Sequence, residues 1–204
     1  MSKIVKAKNK LARRVGANHW GKENYNSARS YPPGQHGPKN MSRFETDFGR
    51  HLTAKQKLKF FYGRITEKQL RGILAEAIRL RGDSGENFVG LLERRLDAII
   101  HRSGLVKSIF TARQIVSHKH LTVDGKIDNI PSYRDKVGDI IKVRDAMLKS
   151  AVILEALESK TAPPAYLQLD SKAGQITFNF QPKLADIPYP IIMELNPIVE
   201  FYSH

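Results

Sequence analysis

The hydrophobic pattern of residues 95–143 constrains the fold of this 204-residue chain more than any other stretch. Its first part is helical, because apolar residues such as Leu96 and Ile99 recur there at helical spacing. From Leu121 onward apolar and polar residues alternate instead, as in a half-buried strand. Asp124-Gly125 follows and is a dipeptide typical of a two-residue hairpin turn. This change of period predicts two short helices followed by a small antiparallel sheet, which is an α+β arrangement.

Local signals mark the ends of these elements. Gly104 stands where a left-handed glycine ends a helix, and Ser108 is a suitable N-cap for the second helix. The return strand of the hairpin is expected to continue through Ile127 and Ile130, and a turn at 137–139 leads to a further short strand. The polar face of the second helix presents Lys107, Arg113, Gln114 and His118. Cations therefore line the helix–hairpin face.

Periodicity predicts further elements on both sides of this stretch. Before it we expect a helix over 45–62 closed by Gly63, a helix over 67–81 with a Thr66/Gln69 capping box, and a helix from Glu86 into Leu96. After it we expect a helix over 149–160 and strands over 166–169 and 175–180, joined by a turn at 171–174. The apolar segment 191–202 is expected to return and pack on the first helical domain.

These elements predict three parts of the chain. Residues 1–43 form a basic extended arm, and residues 44–93 form a helical domain that residues 183–204 complete. Residues 94–182 form an inserted domain with the helix pair and the small sheet. The arm is too polar to fold alone in water, so we expect it to become ordered along a polyanion.

Positive charge is concentrated at the N-terminal end. The net charge is +14, and residues 1–60 carry +11 of it, with 14 Lys/Arg against 3 Asp/Glu, whereas residues 145–204 carry −3. A basic arm of this kind is typical of nucleic-acid-binding proteins, and the alternative is a solvated, disordered tail. Within the arm, residues 31–37 (YPPGQHG) combine stiff and permissive backbone with stacking side chains, which suits a path along folded RNA. An ordinary Pro-Gly turn is the alternative there.

Composition excludes several classes of site. Without cysteine the chain has no disulfide, no thiolate metal site and no cysteine nucleophile, which suits a reducing cytoplasm. No apolar run reaches the roughly 20 residues that cross a bilayer, so no membrane partner is expected. His118 and His120 are the one close pair among seven histidines, and without further ligands they predict no metal site. No phosphate-binding glycine loop occurs, and no cofactor is expected.

The central stretch resembles the αL-motif RNA-binding domain found in a group of RNA-binding proteins. The matching positions are Arg95-Leu96-Asp97, Gly104, Ala112-Arg113-Gln114, His118, His120, the turn at Val123–Gly125, Pro131-Ser132-Tyr133 and Gly138-Asp139. Two positions depart from the pattern. Ile109 stands where many members carry a basic residue, and Lys119 replaces a glycine between the two histidines. The resemblance implies one phosphate contact fewer at Ile109 and one more cation at Lys119.

Arg95-Leu96-Asp97 also resembles the tripeptide around the catalytic aspartate of pseudouridine synthases, some of which carry an αL domain. In those enzymes the tripeptide lies in a large sheet domain beyond the αL domain. Here it lies on the first predicted helix, and only about 60 residues follow Val143. We therefore expect no enzyme activity, and Asp97 is expected on the helix surface as the partner of an arginine such as Arg94 or Arg113.

Further matches extend the resemblance along the chain. They are Pro33-Gly34-Gln35-His36-Gly37, Lys55-Gln56-Lys57-Leu58, Tyr62-Gly63, Gly90-Leu91-Leu92-Glu93 and Val199-Glu200-Phe201-Tyr202-Ser203. Together with the central stretch they resemble the bacterial-type small-subunit ribosomal protein four family over residues ~30–204. Some members carry a cysteine zinc cluster in the arm, so this chain resembles the zinc-free version.

The family resemblance implies a structural constituent of the small ribosomal subunit that binds 16S-type rRNA directly. It also implies that the protein nucleates assembly of the subunit body, lines the entrance for mRNA and contributes to translational accuracy beside small-subunit protein five. The expected location is a cytoplasmic ribosome or an organellar one. A stand-alone RNA-binding module, such as a stress protein acting on stalled ribosomal complexes, is the alternative.

The candidate site residues follow from the basic arm, the basic helix and the αL stretch. The expected RNA-binding residues are Lys8, Lys10, Arg13, Arg14, Tyr31, Gln35, His36, Arg50, Lys55, Lys57, Lys59, Tyr62, Arg95, Lys107, Arg113, Gln114, His118, Lys119 and His120. Lys39 and Arg43 are expected at the mRNA entrance, by resemblance.

Overall fold

The computed structural model describes residues 8–16, 18, 29, 31–39, 46–158, 162–171 and 173–203. The chain divides into two compact units, Met1–Ala75 with Tyr189–His204, and Glu76–Pro188. The second unit is longer at both ends than the inserted domain expected over 94–182. The helix before residue 94 belongs to it, because that helix packs against the next helix and against residues 184–186.

The secondary structure confirms the α+β class. The helices are α1 (Lys8–Val15), α2 (Asp47–Phe61), α3 (Glu67–Arg79), α4 (Ser84–Glu93), α5 (Leu96–Arg102), α6 (Ile109–Ser117), α7 (Asp145–Leu148), α8 (Ala151–Glu158) and α9 (Asn196–Ser203). The strands are β1 (Leu121–Val123), β2 (Lys126–Ile127), β3 (Ile140–Val143), β4 (Leu167–Asp170) and β5 (Gln175–Phe178). A 3-10 helix covers Leu184–Asp186.

Short-range signals set helix ends as predicted. The Thr66 hydroxyl accepts from the backbone N–H of Gln69 (3.3 Å), and the Gln69 side chain accepts from the N–H of Thr66 (3.4 Å), which forms the capping box. The Ser108 hydroxyl accepts from the N–H of Phe110 (3.3 Å) at the start of α6. Gly104 after α5 has φ +81°, the left-handed conformation that glycine adopts without strain.

In the first unit, the C-terminal helix packs on α2. The rings of Phe48 and Phe201 lie 5.5 Å apart, and His51 Nε2 lies 3.2 Å from a carboxylate oxygen of Glu200. Burial of the apolar residue Ile198 accompanies these contacts. Of the apolar segment 191–202, the part within α9 therefore packs on α2 through apolar and aromatic contacts, whereas Ile192 is 86% exposed.

In the second unit, one predicted helix is interrupted. The sequence suggested a helix from Glu86 into Leu96, but α4 ends at Glu93 and α5 begins at Leu96. The backbone N–H of Leu96 donates to Tyr133 O (2.9 Å), and that of Asp97 donates to Pro131 O (3.2 Å). A segment far away in sequence therefore satisfies the first N–H groups of α5, and this long-range pairing favours a break over a continuous helix.

The five strands form one antiparallel sheet in the order β2-β1-β3-β5-β4. Alternate residues such as Val123 and Ile141 are buried on one face of the sheet. Asp124 and Gly125 have φ of +47° and +78°, which confirms the predicted hairpin turn. The return strand is shorter than predicted, because the Asp128 carboxylate accepts from the N–H of Ile130 (2.7 Å) and turns the chain away.

A buried ion pair joins four segments of the second unit. Glu93 is fully buried, and the Arg102 guanidinium donates to its carboxylate at 2.9 Å. The Tyr166 hydroxyl donates to the same carboxylate at 2.9 Å. Arg102 also donates to the backbone oxygen of Pro188 (3.1 Å). Such a group fixes geometry, because removing either partner would leave a charge without compensation in the interior.

Asp135 is a buried acid of a different kind. It is fully buried, and neither carboxyl oxygen finds a hydrogen-bond partner among the described residues. Burial, together with the nearby carboxylates of Asp139 and Asp128, raises the pKa of Asp135 to about 8. The backbone of Asp135 is nevertheless well held, because its N–H donates to Arg94 O (2.9 Å). The fold therefore favours the protonated carboxyl at this position.

This arrangement predicts a pH-dependent stability that Asp135→Val removes. The pKa of Asp135 in the folded protein lies above the ordinary value of 3.8. The contribution of the protonated carboxyl to the free energy of unfolding is therefore fully present below pH 3.8 and is lost as the pH rises toward 8. The free energy of unfolding of Asp135→Val, relative to that of the wild type, should increase by up to about 1.4 kcal/mol per pH unit across this window and then level off. Urea unfolding of both proteins at several pH values measures it. Burial also lowers the pKa of His101 to about 4. Because both proteins contain His101, its titration does not affect the difference between them. A difference that is constant with pH would contradict the assignment.

Candidate nucleic-acid interface

A buried carboxylate between two arginines holds the helix pair together. The Arg95 guanidinium donates to both carboxylate oxygens of Asp97, at 2.9 and 2.7 Å. Arg113, on α6, donates to one of the same oxygens at 3.2 and 2.8 Å. Arg95 and Asp97 are 2% and 1% exposed. The network links the residue before α5, α5 itself and α6, and it fixes how α6 presents its outer face.

These contacts correct two expectations about the αL stretch. Asp97 lies in the interior instead of on the helix surface. Its expected pairing with Arg113 forms, and Arg95 is its second partner. Arg94 instead donates to the backbone oxygen of Asp135 (2.8 Å). Arg95 was expected to contact RNA, but its charged end is buried against Asp97, so it leaves the candidate interface. Arg113 is half-buried, and its removal would affect stability as well as any contact with RNA.

The C-terminal end of α6 has an unusual backbone. The N–H of Lys119 donates to Val116 O (2.9 Å), and the N–H of His120 donates to Ile115 O (3.2 Å), which is the pattern of a Schellman motif. Lys119 occupies the left-handed position of that motif, with φ +62°. Glycine is usual there because a Cβ atom is strained in this conformation. The chain therefore keeps a cation at a position where glycine would be more stable.

A group of polar and basic side chains surrounds this helix end. We call it the corner cluster, and it consists of Gln114, His118, Lys119, His120 and Arg144. All are exposed except His120, which is half-buried. The rings of the two histidines lie 6.1 Å apart. The N–H of Arg144 donates to His120 O (2.9 Å), and its guanidinium donates to Lys119 O (3.4 Å). Donors therefore converge on one surface, where they can bind phosphate oxygens.

Lys107 lies at the other end of α6 and is not part of the corner cluster. Its ammonium group is 3.5 Å from a carboxylate oxygen of Glu155, and both side chains are largely exposed. An exposed pair of this kind contributes little to stability and is weakened by salt. Lys107 therefore remains accessible to a polyanion that competes with Glu155.

In the first unit, part of the basic arm folds on itself. The Arg13 guanidinium donates to Tyr31 O at 2.9 and 2.7 Å and lies 5.0 Å from the centre of the Tyr31 ring. A Cβ atom on Gly37 would lie 2.0 Å from Pro32 O, so the turn requires glycine there. Gln35, His36 and Lys39 are exposed on this turn. The arm thus presents a defined turn, while the guanidinium of Arg13 serves partly to hold it.

Two lysines of the basic helix α2 are internal ion-pair partners. Lys55 is 5% exposed, donates to Glu67 at 2.8 Å and lies 4.0 Å from the centre of the Phe201 ring. Lys59 donates to the other Glu67 oxygen at 2.8 Å, and the Tyr202 hydroxyl also donates to this carboxylate. Burial raises the pKa of Glu67, but the hydrogen bonds from these groups outweigh it and lower the pKa to about 2.

Some residues of the first unit that are expected to contact RNA are buried, whereas others are exposed. Lys55 and Tyr62 were expected to contact RNA, but both are buried, and the Tyr62 hydroxyl lies 2.6 Å from that of Tyr189. Lys59 is largely covered and neutralised by Glu67. The remaining expected basic residues are exposed or half-exposed, namely Lys8, Lys10, Arg14, Arg50 and Lys57. Arg50 forms an exposed pair with Asp47. Arg43 lies outside the described residues.

Metal-binding clusters and membrane-spanning helices are absent from the described ranges of the chain. No group of three or more His, Cys, Asp or Glu side chains there could hold a metal ion. No helix in those ranges is both long enough and apolar enough to cross a membrane.

Comparison with known proteins covers the whole chain. A family profile described as Ribosomal protein S4/S9 N-terminal domain matches residues 3–93, and one described as S4 domain matches residues 94–141. The chain is 50% identical to small ribosomal subunit protein uS4 of Roseobacter denitrificans over 205 residues, which cover 100% of this chain and 99% of the relative. It is 49% identical to the uS4 protein of Azorhizobium caulinodans, with 100% of both chains covered.

The chain belongs to the small ribosomal subunit protein uS4 family.

Membership of the uS4 family confirms the resemblance drawn from the sequence. The boundary between the two matched profiles, at residues 93 and 94, lies at the interrupted helix that leads into the Arg95–Asp97 network. The family is one of ribosomal proteins and not of enzymes. The buried, doubly paired Asp97 agrees with this, because a catalytic carboxylate has to reach its substrate.

Sequence reasoning missed two basic residues that the structure brings forward. Arg144 joins the corner cluster because β3 ends beside the end of α6, a contact between segments 25 residues apart. Arg64 follows Gly63 after α2 and has φ +60°, again a left-handed conformation for a residue with a Cβ atom. Neither position carries a motif. A helix-ending glycine followed by a cation was the available signal for Arg64.

The backbone at Lys119 predicts that stability and RNA binding change in opposite directions. Lys119→Gly should raise the free energy of unfolding by about 0.5–1 kcal/mol, because the strain of the left-handed residue is relieved at some cost in chain entropy. The same change should weaken RNA binding and reduce the slope of log affinity against log salt by about 1. Lys136→Ala removes an exposed charge from a turn of the same unit and is the control. Equal loss of affinity in both variants would show that the corner cluster is not the site.

Proposed function

We propose that this protein is a structural component of the small ribosomal subunit that binds small-subunit rRNA directly. The observation that carries the proposal is that the chain is 49–50% identical, over its full length, to relatives named small ribosomal subunit protein uS4. The net charge of +14 supports a nucleic-acid partner. The ribosome is accordingly the proposed location.

Two surfaces support a description of how RNA is bound. In the second unit the corner cluster offers guanidinium, ammonium, imidazole and amide donors, which suit phosphate oxygens and exposed base edges. In the first unit the turn at residues 31–37 exposes Gln35 and His36. Recognition is therefore proposed to depend on the shape and the phosphates of a folded RNA junction more than on base sequence.

Finer roles are proposed from the family resemblance. They are nucleation of subunit assembly, a place at the mRNA entrance, and a contribution to translational accuracy through small-subunit protein five. Lys39 supports the second of these because it is exposed on the arm. A stand-alone RNA-binding module is less well supported, because the similarity to the uS4 relatives includes the arm and the C-terminal helix and is not confined to the αL stretch.

The proposal predicts strongly salt-dependent binding to small-subunit rRNA. If about six to ten phosphates are neutralised, affinity should fall by about 10³- to 10⁵-fold between about 50 and 200 mM salt. Filter binding with a small-subunit rRNA transcript measures this, and a large-subunit rRNA transcript is the control. Co-sedimentation with small subunits after a high-salt wash tests the structural role. A flat salt dependence, or release of the protein from subunits by the wash, would contradict the proposal.

The mRNA entrance generates a separate prediction for Lys39→Ala/Arg43→Ala. Charges in water are screened beyond ~8 Å at physiological salt, so removing two of the 34 Lys and Arg residues should barely change rRNA affinity. Subunits that carry the variant should assemble normally but translate slowly through a message with a strong hairpin. A matched message without the hairpin is the control on the same ribosomes. If both messages are slowed equally, or if assembly fails, these side chains hold rRNA and the mRNA assignment is wrong.

A further inference from the structure

The first unit contains an open cavity of about 470 Å³ between α1, α2 and the loop that follows α2. Its apolar wall includes Val15, Phe60 and Ile65, all of which are buried. Pockets that take small organic groups have volumes of roughly 300–1,000 Å³ and apolar walls with a few polar groups. The cavity therefore has the size of a site for a small organic group, and its described lining combines apolar residues with polar and positively charged ones.

Its rim is positively charged. Arg14, Lys59 and Arg64 lie at the cavity, and no carboxylate side chain is among its described lining residues. Lys59 is held by Glu67. The guanidinium groups of Arg14 and Arg64 make no hydrogen bond or ion pair within the described ranges. Two guanidinium groups without a partner in the described ranges, beside apolar residues, favour a ligand with an anionic end and a less polar end.

The backbone conformation of Arg64 also indicates a functional role at this cavity. Arg64 has φ +60° and directly follows Gly63, which has φ +67°, and its N–H donates to Lys59 O (3.0 Å). A left-handed conformation is unfavourable for a residue with a Cβ atom and is found more often at functional sites. Glycine would close this loop with less strain, so the fold does not explain why an arginine stands at the rim.

We propose that this cavity receives one unstacked nucleotide of the small-subunit rRNA, with its base against the apolar wall and its phosphate between Arg14 and Arg64. The inference rests on the proposed function, because it specifies how the first unit would engage rRNA. Proteins recognise RNA mainly at loops and bulges, where a base can leave the stack. Contacts of this kind tolerate any base, because every base has an apolar π-face.

Two variants test the cavity by different means. Thr53→Trp fills it with a side chain from α2 and removes no charge, because Thr53 lines the cavity. Arg64→Gly removes the rim guanidinium and should leave thermal stability unchanged or higher. Gly72→Trp is the control for bulk, since Gly72 is exposed and a Cβ atom added there meets nothing within 4 Å. Arg71→Ala removes an exposed charge from the same unit and is the control for charge.

The probe is a small-subunit rRNA transcript, modified with dimethyl sulfate and carbodiimide in the presence of each protein. Both variants should bind about ten-fold more weakly than the wild type, a loss typical of one stacked base, whereas both controls should stay within about two-fold. The same one or two nucleotides should lose protection with both variants while the rest of the footprint persists. If Thr53→Trp proves unfolded by circular dichroism, Arg64→Gly still carries the test.

Three results would overturn the proposal. The variants could match their controls, or all protections could weaken uniformly, which would make Arg64 a general phosphate contact. Alternatively, rRNA binding could stay intact while association with a neighbouring ribosomal protein is lost, which would make the occupant a protein side chain. Failure of the wild type to bind rRNA would instead refute the proposed function, so the two failures are distinguishable.

Discussion

The buried carboxylate of Asp97 determines how the αL helix pair is arranged. Placing one carboxylate and two guanidinium groups in the interior is costly, and such a group persists only when its geometry is well satisfied. Here Arg95 forms a bidentate pair and Arg113 adds two further donor contacts. Apolar packing alone would tolerate small shifts of α6 along α5. The directional hydrogen bonds do not, so the end of α6 and the side chains around it are held in one position.

Elements with a local cause were predictable from the sequence. The capping box at Thr66, the N-cap at Ser108 and the Asp124-Gly125 turn each depend on residues a few positions apart, and each forms as predicted. The interruption before α5 was missed because its cause is the segment around Tyr133, more than 30 residues away. The shortened return strand was missed for a different reason. Asp128 competes with the strand ladder through its own side chain, and the apolar residue Ile130 gives no sign of this.

The structure changes which residues can belong to the candidate interface. A count of Lys and Arg residues assumes that each can contact RNA. A cation that the fold pairs with an acidic side chain, as in the two cases below, is already engaged in that ion pair. Lys55 meets Glu67, 12 residues further along, and Arg95 meets Asp97. The second pair could have been suspected from the two-residue spacing, whereas the first required the fold. The helix α2 thus has a basic sequence, yet part of its charge stabilises the packing of α9.

Among the described residues other than glycine, three have a positive φ, and two of these are the cations Lys119 and Arg64. Asp124 also has a positive φ, but a two-residue hairpin turn requires one there. Lys119 has no such reason, since glycine would end α6 with less strain. Arg64 has none either, because the left-handed Gly63 before it already ends α2. Each costs about 1–2 kcal/mol, against a total stability of roughly 5–15 kcal/mol for a domain. Neither side chain compensates through an ion pair within the described part of the chain. The described fold therefore gives no reason for a cation at either position, which supports placing both residues on the proposed rRNA-binding surfaces.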